Sequence, residues 1–348
     1  MNPYVLATLL LGVGLGTTAT FASSNWILAW MGLEMNTLAI LPLMARCHHP
    51  RAIEASTKYF LTQAAGAAVL LFGTATNAWL TGQWIIAQPS HPLSLSLITL
   101  ALALKMGVAP LHSWLPDVMQ GVDLYTGLML STWQKLAPLA LLSQLNPPHY
   151  ALLMVLGLTS SLVGGWGGLG QTQLRKILAY SSIAHLGWFM LILPFSTPIA
   201  LLTIATYIVM TSSAFLLLAI TSPTSVNALA TMWSKTPTIA AIVPFVLLSL
   251  AGLPPLTGFM PKWLVLAELT DQNLGAMATI MAMSALLSLY FYLRLSYATT
   301  LTLFPNSFAI IASWRTRSKP YALPVAAFVT LSGSLLPITP TLLALCSA

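Results

Sequence analysis

Four ionisable residues stand inside or at the edge of long apolar runs, where their chemistry is costly: Glu34, Lys105, Lys135 and Lys262. A charge at bilayer depth costs about 2.5–3.5 kcal/mol on insertion scales. The chain has only 13 Lys and Arg and 6 Asp and Glu among 348 residues, so four at such places is a concentration rather than scatter. Buried charge of this kind marks an ion or proton path.

Glu34 lies in Trp30-Met-Gly-Leu-Glu-Met-Asn-Thr37, and Lys105 opens a run rich in glycine and proline. The two read as a switchable ion pair. Joined, each stabilises the charge of the other; parted, the lysine is a desolvated cation that can hand its proton on. A permanent pair that only fixes two helices is the alternative. Lys135 follows Ser131 by one helical turn, so both fall on one face and form a short polar stripe. No acid is near it in sequence, which suits a titrating amine better than a fixed salt bridge. Lys262 also adjoins a glycine- and proline-rich run, although Glu268 and Asp271 mark an interface to which it could snorkel. His112 lies within the first such run, and His185 shares a face with Ser181 and Ser182. Each histidine is a possible relay or a satisfied hydrogen-bonding group.

These residues need a membrane scaffold to position them. Hydrophobic residues make up 57% of the chain, charged ones 5%, and mean hydropathy is +0.84. Soluble domains carry about 25% charged residues, so a water-soluble fold is excluded. Spans of about 20 apolar residues recur about eleven times: near 3–22, 24–45, 56–80, 93–121, 122–145, 149–171, 175–195, 199–220, 237–270, 273–303 and 321–346. The expected fold is an all-α integral membrane domain covering 1–348. Arg46, Arg51, Lys58, Arg175, Lys176, Lys235, Arg315, Arg317 and Lys319 fall in loops on one side, and the loops on the other side hold no Lys or Arg. That asymmetry puts the N-terminus inside and the C-terminus outside. It also explains the net charge of +7 without nucleic acid.

Two segments match at an offset of 145 residues: Lys105-Met-Gly-Val-Ala-Pro-Leu-His-Ser-Trp-Leu-Pro-Asp117 and Gly252-Leu-Pro-Pro-Leu-Thr-Gly-Phe-Met-Pro-Lys262. Gly107 aligns with Gly252, Pro110 with Pro255, Trp114 with Phe259 and Pro116 with Pro261. Proline removes an N–H and clashes with the preceding turn, and glycine lets the chain unwind, so each segment should break a helix. Five spans separate the copies, so they enter from opposite faces. That predicts two inverted five-helix repeats with two broken helices: 1–145, then 146–305, with 306–348 a loop and C-terminal helix. Proline kinks used only for packing are the alternative.

Other features carry less chemistry. Gly12, Gly14 and Gly16, and Gly164, Gly165, Gly167 and Gly168, read as helix-packing stripes. Trp26, Trp30, Trp79, Trp84 and Trp314 suit an aromatic belt, and Ser225–Lys235 a short interfacial helix with Trp233 at headgroup depth. Asp117 and Asp123 lie near the basic side, where they could cap a helix or guide protons. Arg294 reads as an anchor, and His48 and His49 as solvated. Cys47 and Cys346 form no framework, and the start of the chain has no cleavage or transit signal. No metal cluster, nucleotide fingerprint or nucleophile triad is present, and single histidines on separate spans argue against haem.

Trp30-Met-Gly-Leu-Glu-Met-Asn36, the two matched segments and Tyr180-Ser-Ser-Ile-Ala-His-Leu-Gly-Trp188 resemble the chain 2 family of mitochondrial NADH–ubiquinone oxidoreductase, the antiporter-like membrane-arm subunits of respiratory complex I. The resemblance covers essentially the whole chain. It implies a multi-pass protein of the inner mitochondrial membrane, N-terminus in the matrix and C-terminus in the intermembrane space, partnered by other membrane-arm subunits, phospholipid, protons and internal water. It implies a Glu34–Lys105 pair, a central Lys135 and a terminal Lys262 in a proton relay, with His112 and His185 along a hydrated path. It implies no cofactor in this chain; flavin, iron–sulfur clusters, NADH and ubiquinone belong to other subunits. Bacterial relatives carry additional N-terminal helices that this chain lacks. A subunit of a monovalent cation/proton antiporter is the other functional class, and an inert membrane scaffold a third.

Overall fold

A computed structural model describes residues 2–86, 91–145, 150–234, 236–301 and 322–347. Lys235, Trp314, Arg315, Arg317 and Lys319 lie outside the described residues, as do the side chains of Cys47 and Cys346. The described residues are helical, with two isolated antiparallel bridges, Asn25–Ile85 and Gln173–Ser225, as the only extended pairing among them. The chain forms two compact units, 1–156 and 157–348.

The first unit contains α1 (Pro3–Ala22), α2 (Trp26–Met44), α3 (Pro50–Thr81), α4 (Pro92–Met106), α5 (Trp114–Gly121), α6 (Leu124–Ser131) and α7 (Trp133–Gln144). Three of these helices begin with one device: a capping side chain followed by proline, whose missing N–H costs nothing at a helix start. Asn2 Oδ1 accepts from the Tyr4 N–H before Pro3 begins α1, and His49 Nδ1 and His91 Nδ1 accept from Arg51 and Leu93 before α3 and α4. Helices α1 and α2 touch at Gly16 and Gly32, where a Cβ on either would come within 2.9 Å of the other helix's backbone. Gly14 faces open space and takes no part in that contact. Close approach here fixes the helix that carries Glu34.

Helix α8 (Tyr150–Leu169) crosses the boundary, and the second unit continues with α9 (Leu174–Ile192), α10 (Thr197–Thr221), α11 (Val226–Ala230), α12 (Pro237–Ala251), α13 (Phe259–Asp271), α14 (Gly275–Thr300), α15 (Ala322–Ser334) and α16 (Thr339–Ser347). Gly164 lies against Ala184 of α9, and Gly165 and Gly168 against Leu287 and Phe291 of α14. Arg294 Nη1 donates to the Leu169 carbonyl at 2.8 Å, tying α14 to the end of α8 as an anchor.

By length and composition α1, α2, α3, α8, α10 and α14 can each cross a membrane, and α15 with α16, bent by 67°, can form a seventh span. Several expected spans are therefore assembled from shorter pieces. The expected span 93–121 is α4 and α5 around a non-helical break, and 237–270 is α12 and α13 around another. Both breaks begin with a left-handed glycine, Gly107 at φ 78° and Gly252 at φ 82°. Gly107 N donates to Ala103 O and Leu104 O, and Val108 N to Ala103 O; Gly252 and Leu253 make the same bonds to Leu248 O and Ser249 O. Glycine takes this conformation without a Cβ penalty, and the following prolines prevent the helix from resuming.

A third break has no proline or glycine at its site. The expected span 122–145 is interrupted at Thr132, between α6 and α7. The Leu128 carbonyl accepts from Thr132 N at 3.0 Å, Ser131 Oγ at 3.0 Å and Thr132 Oγ1 at 2.7 Å. Crowding of one carbonyl by two hydroxyls bends a helix. Ser131 and Lys135 consequently lie on either side of this interruption rather than on one continuous helix. Trp26 is a correction: it is fully buried rather than at a lipid-facing belt, whereas Trp79 is 90% exposed. The expected interfacial segment is α11 and a 3-10 turn, with Trp233 Nε1 donating to the Thr299 carbonyl of α14.

Candidate functional site

In the first unit Lys105 is carried on the last turn of α4, immediately before the break, and its side chain is 1% exposed. Glu34 on α2 reaches it: Lys105 Nζ donates to Glu34 Oε1 at 3.3 Å, with the Glu34 side chain 23% exposed. Gly66 on α3 makes room for the lysine stem, since a Cβ there would stand 3.3 Å from Lys105 Cγ. Gln63, one turn earlier on α3, donates from Nε2 to the Lys105 carbonyl at 3.3 Å. Trp114 at the start of α5 folds back across the break and donates from Nε1 to the Leu104 carbonyl at 3.1 Å. The end of α4, with its ammonium, is therefore held from three sides.

Lys135 is buried on the first turn of α7 and lines the same cavity as Lys105. The cavity measures about 10 Å3, the space a single water needs. Asn36, Gln63, Tyr59, Trp114 and Gln134 share its walls. Gln134 Nε2 donates to Asn36 Oδ1 at 2.9 Å, which pins α7 to α2, the helix that carries Glu34. This arrangement brings two amines and several amides around a small void, with the Glu34 carboxylate bonded to one of the amines.

In the second unit Lys262 lies on the first turn of α13, immediately after its break. It is buried at 9% exposure and turns inward: Nζ donates to the Ala251 carbonyl at the end of α12 at 2.7 Å and stands 6.0 Å from the Trp188 ring centre. Snorkelling to the interface is not what this side chain does. A cation at a helix C-terminus faces the negative end of the helix dipole, a stabilising placement. His185 on α9 packs against Tyr207 of α10 with ring centres 5.6 Å apart. Beside it Ser182 shares a hydrogen bond with Tyr207, and Tyr292 of α14 lies against Ser181.

The first break holds His112, which is half-buried and not among the residues lining the Lys105 cavity. Asp117 is exposed and pairs with Lys58 at 3.3 Å, and Lys58 also pairs with Glu54 at 2.8 Å. Asp123 occupies the N-cap position of α6 without a capping bond from its side chain. His48 and His49 are exposed. Sequence reasoning did not single out Asn36, Tyr59, Gln63, Gln134 or Tyr207. The available signal was an amide or phenol within an apolar run, which is costly there unless it is hydrogen-bonded. Among the described residues no three His, Cys, Asp or Glu side chains converge as a metal site.

Comparison with known proteins gives this geometry a family. Residues 23–288 match the NADH:quinone oxidoreductase/Mrp antiporter transmembrane family, and residues 289–343 match the NADH dehydrogenase subunit 2 C-terminus. NADH-ubiquinone oxidoreductase chain 2 of Tetraodon nigroviridis is 63% identical over 345 residues, covering 99% of both chains. The chain 2 protein of Oncorhynchus mykiss is 61% identical over 346 residues, also covering 99% of each. A chain of respiratory complex I from Thermus thermophilus is 29% identical with a TM-score of 0.82, covering 97% of this chain and 80% of that one. An Mrp complex chain from Dietzia, at 18% identity and TM-score 0.82, shows the common fold alone. With full-length identity above 60% and a family match across both units, the chain belongs to the NADH-ubiquinone oxidoreductase chain 2 family.

Proposed function

We infer that this chain is a proton-translocating membrane subunit of respiratory NADH:ubiquinone oxidoreductase, with Glu34, Lys105, Lys135 and Lys262 as its proton-carrying groups. The observation that carries the reading is the closed Glu34–Lys105 pair, 3.3 Å apart at a broken helix, whose lysine lines a cavity that Lys135 also lines. A lysine joined to a carboxylate keeps its charge; separation leaves a buried cation that passes its proton to a neighbouring base. Redox energy released elsewhere in the complex reaches this chain as a change in the electrostatic field at that pair. Lys135 takes up the proton in the first unit, and Lys262 does the corresponding work in the second. His112 and His185 are auxiliary relay positions. The chain itself carries no redox group and works with the other membrane subunits, lipid and internal water.

The 145-residue offset supports an inverted repeat and about eleven spans: the pairs 92/237, 106/251, 107/252 and 114/259 start or end equivalent local structures. The basic loops support a matrix-side N-terminus in the inner mitochondrial membrane. Lys135→Met tests the function. It should leave the complex assembled and oxidising NADH while lowering the protons moved per NADH. Unchanged proton movement in the assembled complex would overturn the reading.

A further inference from the structure

On the basic side of the first unit lies a second cavity, of about 240 Å3, lined by Arg51, Glu54, Ala55, Lys58, Asp117, Gln120 and Gly121. Its charged side chains are open to water: Lys58 is 45% exposed, Glu54 62% and Asp117 50%. Residues within a helical turn of Lys58 and Asp117 line the Lys105 cavity instead. Lys58 precedes Tyr59 on α3, and Asp117 follows Trp114 by three residues on α5. The rings of Tyr59 and Trp114 meet edge to face, centres 5.7 Å apart, and both are buried. They wall the inner cavity from the two helices that also line the outer one, and Lys58–Asp117 spans the same two helices on the water side. Tyr59 is also near enough to Glu34 to feel its charge.

We propose that the charged cavity is the water-side vestibule of the first unit and that the Tyr59–Trp114 ring pair is a gate separating it from the Lys105–Lys135 cavity. The proposal rests on the proton-translocation reading for its purpose, but its geometry is independent of it. Edge-to-face contact is a weak, directional tie, and because opening also exposes two buried rings the closed arrangement predominates. The exposed Lys58–Asp117 pair is a second, solvent-screened tie between the same two helices, so α3 and α5 are latched rather than locked. Trp114 holds the α4 end at Leu104, so a swing of its ring both opens the passage and releases the turn that carries Lys105.

The test reads water access and not pumping, so it can fail while the lysine relay stands, or hold while the relay fails. In the assembled complex, with Cys47 and Cys346 replaced by serine, Gln63→Cys places a thiol beyond the rings. A charged, membrane-impermeant methanethiosulfonate is then applied from the basic side. The thiol should react slowly with both rings in place, and at least about tenfold faster with Trp114→Ala or Tyr59→Ala. Trp114→Phe, which keeps a ring, should stay slow. Fast reaction with both rings present overturns the gate, as does slow reaction in an assembled complex lacking either ring. If neither small variant assembles, hydroxyl-radical footprinting of the unaltered complex decides. Met106, which lines the inner cavity, should be oxidised at least about tenfold more slowly than Trp114 at the boundary, and equal rates overturn the proposal.

Discussion

The Glu34–Lys105 pair makes a quantitative prediction that separates its structural role from its transport role. At 3.3 Å and an effective dielectric constant of about 20, the two charges attract by about 5 kcal/mol. Removing one partner of a buried pair costs about 3–5 kcal/mol, because the other is left uncompensated. The two partners are not equivalent. Lys105 is almost sealed, while Glu34 keeps an exposed edge. Glu34→Gln should therefore destabilise the assembled complex by about 3 kcal/mol, and Lys105→Met by only about 1 kcal/mol. In the double variant no buried charge remains, so stability should return to within about 1 kcal/mol of the parent. The assay is graded heating of the detergent-solubilised complex, with the surviving assembly quantified on native gels and protons moved per NADH measured in parallel. Stability should show a coupling of about 3–5 kcal/mol, and pumping should stay depressed in all three variants. Additive stabilities, within about 0.5 kcal/mol, would refute the pair as a structural unit. Pumping restored in the double variant would refute its role in transport.

Gly164→Ala should lower assembly by about 1–3 kcal/mol, because its methyl would press on the backbone of Ala184, whereas Gly14→Ala should be neutral; native-gel abundance compares them. Gln134→Leu should cost about 1–2 kcal/mol in thermal stability by removing the bond to Asn36, and the loss should shrink when Asn36→Leu is combined with it. Lys262→Met should lower both pumping and the thermal midpoint, since the Ala251 carbonyl loses its partner. Lys262→Arg should recover the midpoint more than the pumping, because arginine stays charged.

Much of the first unit's chemistry was legible in the chain because it obeys local rules. Glu34, Lys105 and Lys135 stood out by the cost of charge among apolar neighbours. The breaks after Lys105 and before Lys262 were announced by glycine and proline, whose backbone limits act wherever they occur. The interruption at Thr132 was not, since it arises from two hydroxyls converging on the Leu128 carbonyl, and serine and threonine do this without breaking most helices. Nor were the partnerships of Trp114 with Leu104, Gln134 with Asn36 and Lys262 with Ala251. Each depends on which turn of one helix faces which turn of another. Trp26 illustrates the same limit: its position near a span end suited a belt, but rotation about the helix axis buried it.

The two breaks are braced differently, and this affects how variants in this chain must be interpreted. In the first unit an indole N–H closes the break while a separate ammonium bears the charge. Brace and cargo are different residues there, so loss of the charge at 105 can be separated from loss of the brace at 114. In the second unit the ammonium at 262 is itself the brace. A change at 262 removes a strut and a charge together, and the phenotype of that position mixes architecture with transport until a neutral hydrogen-bond donor is made to hold the same carbonyl.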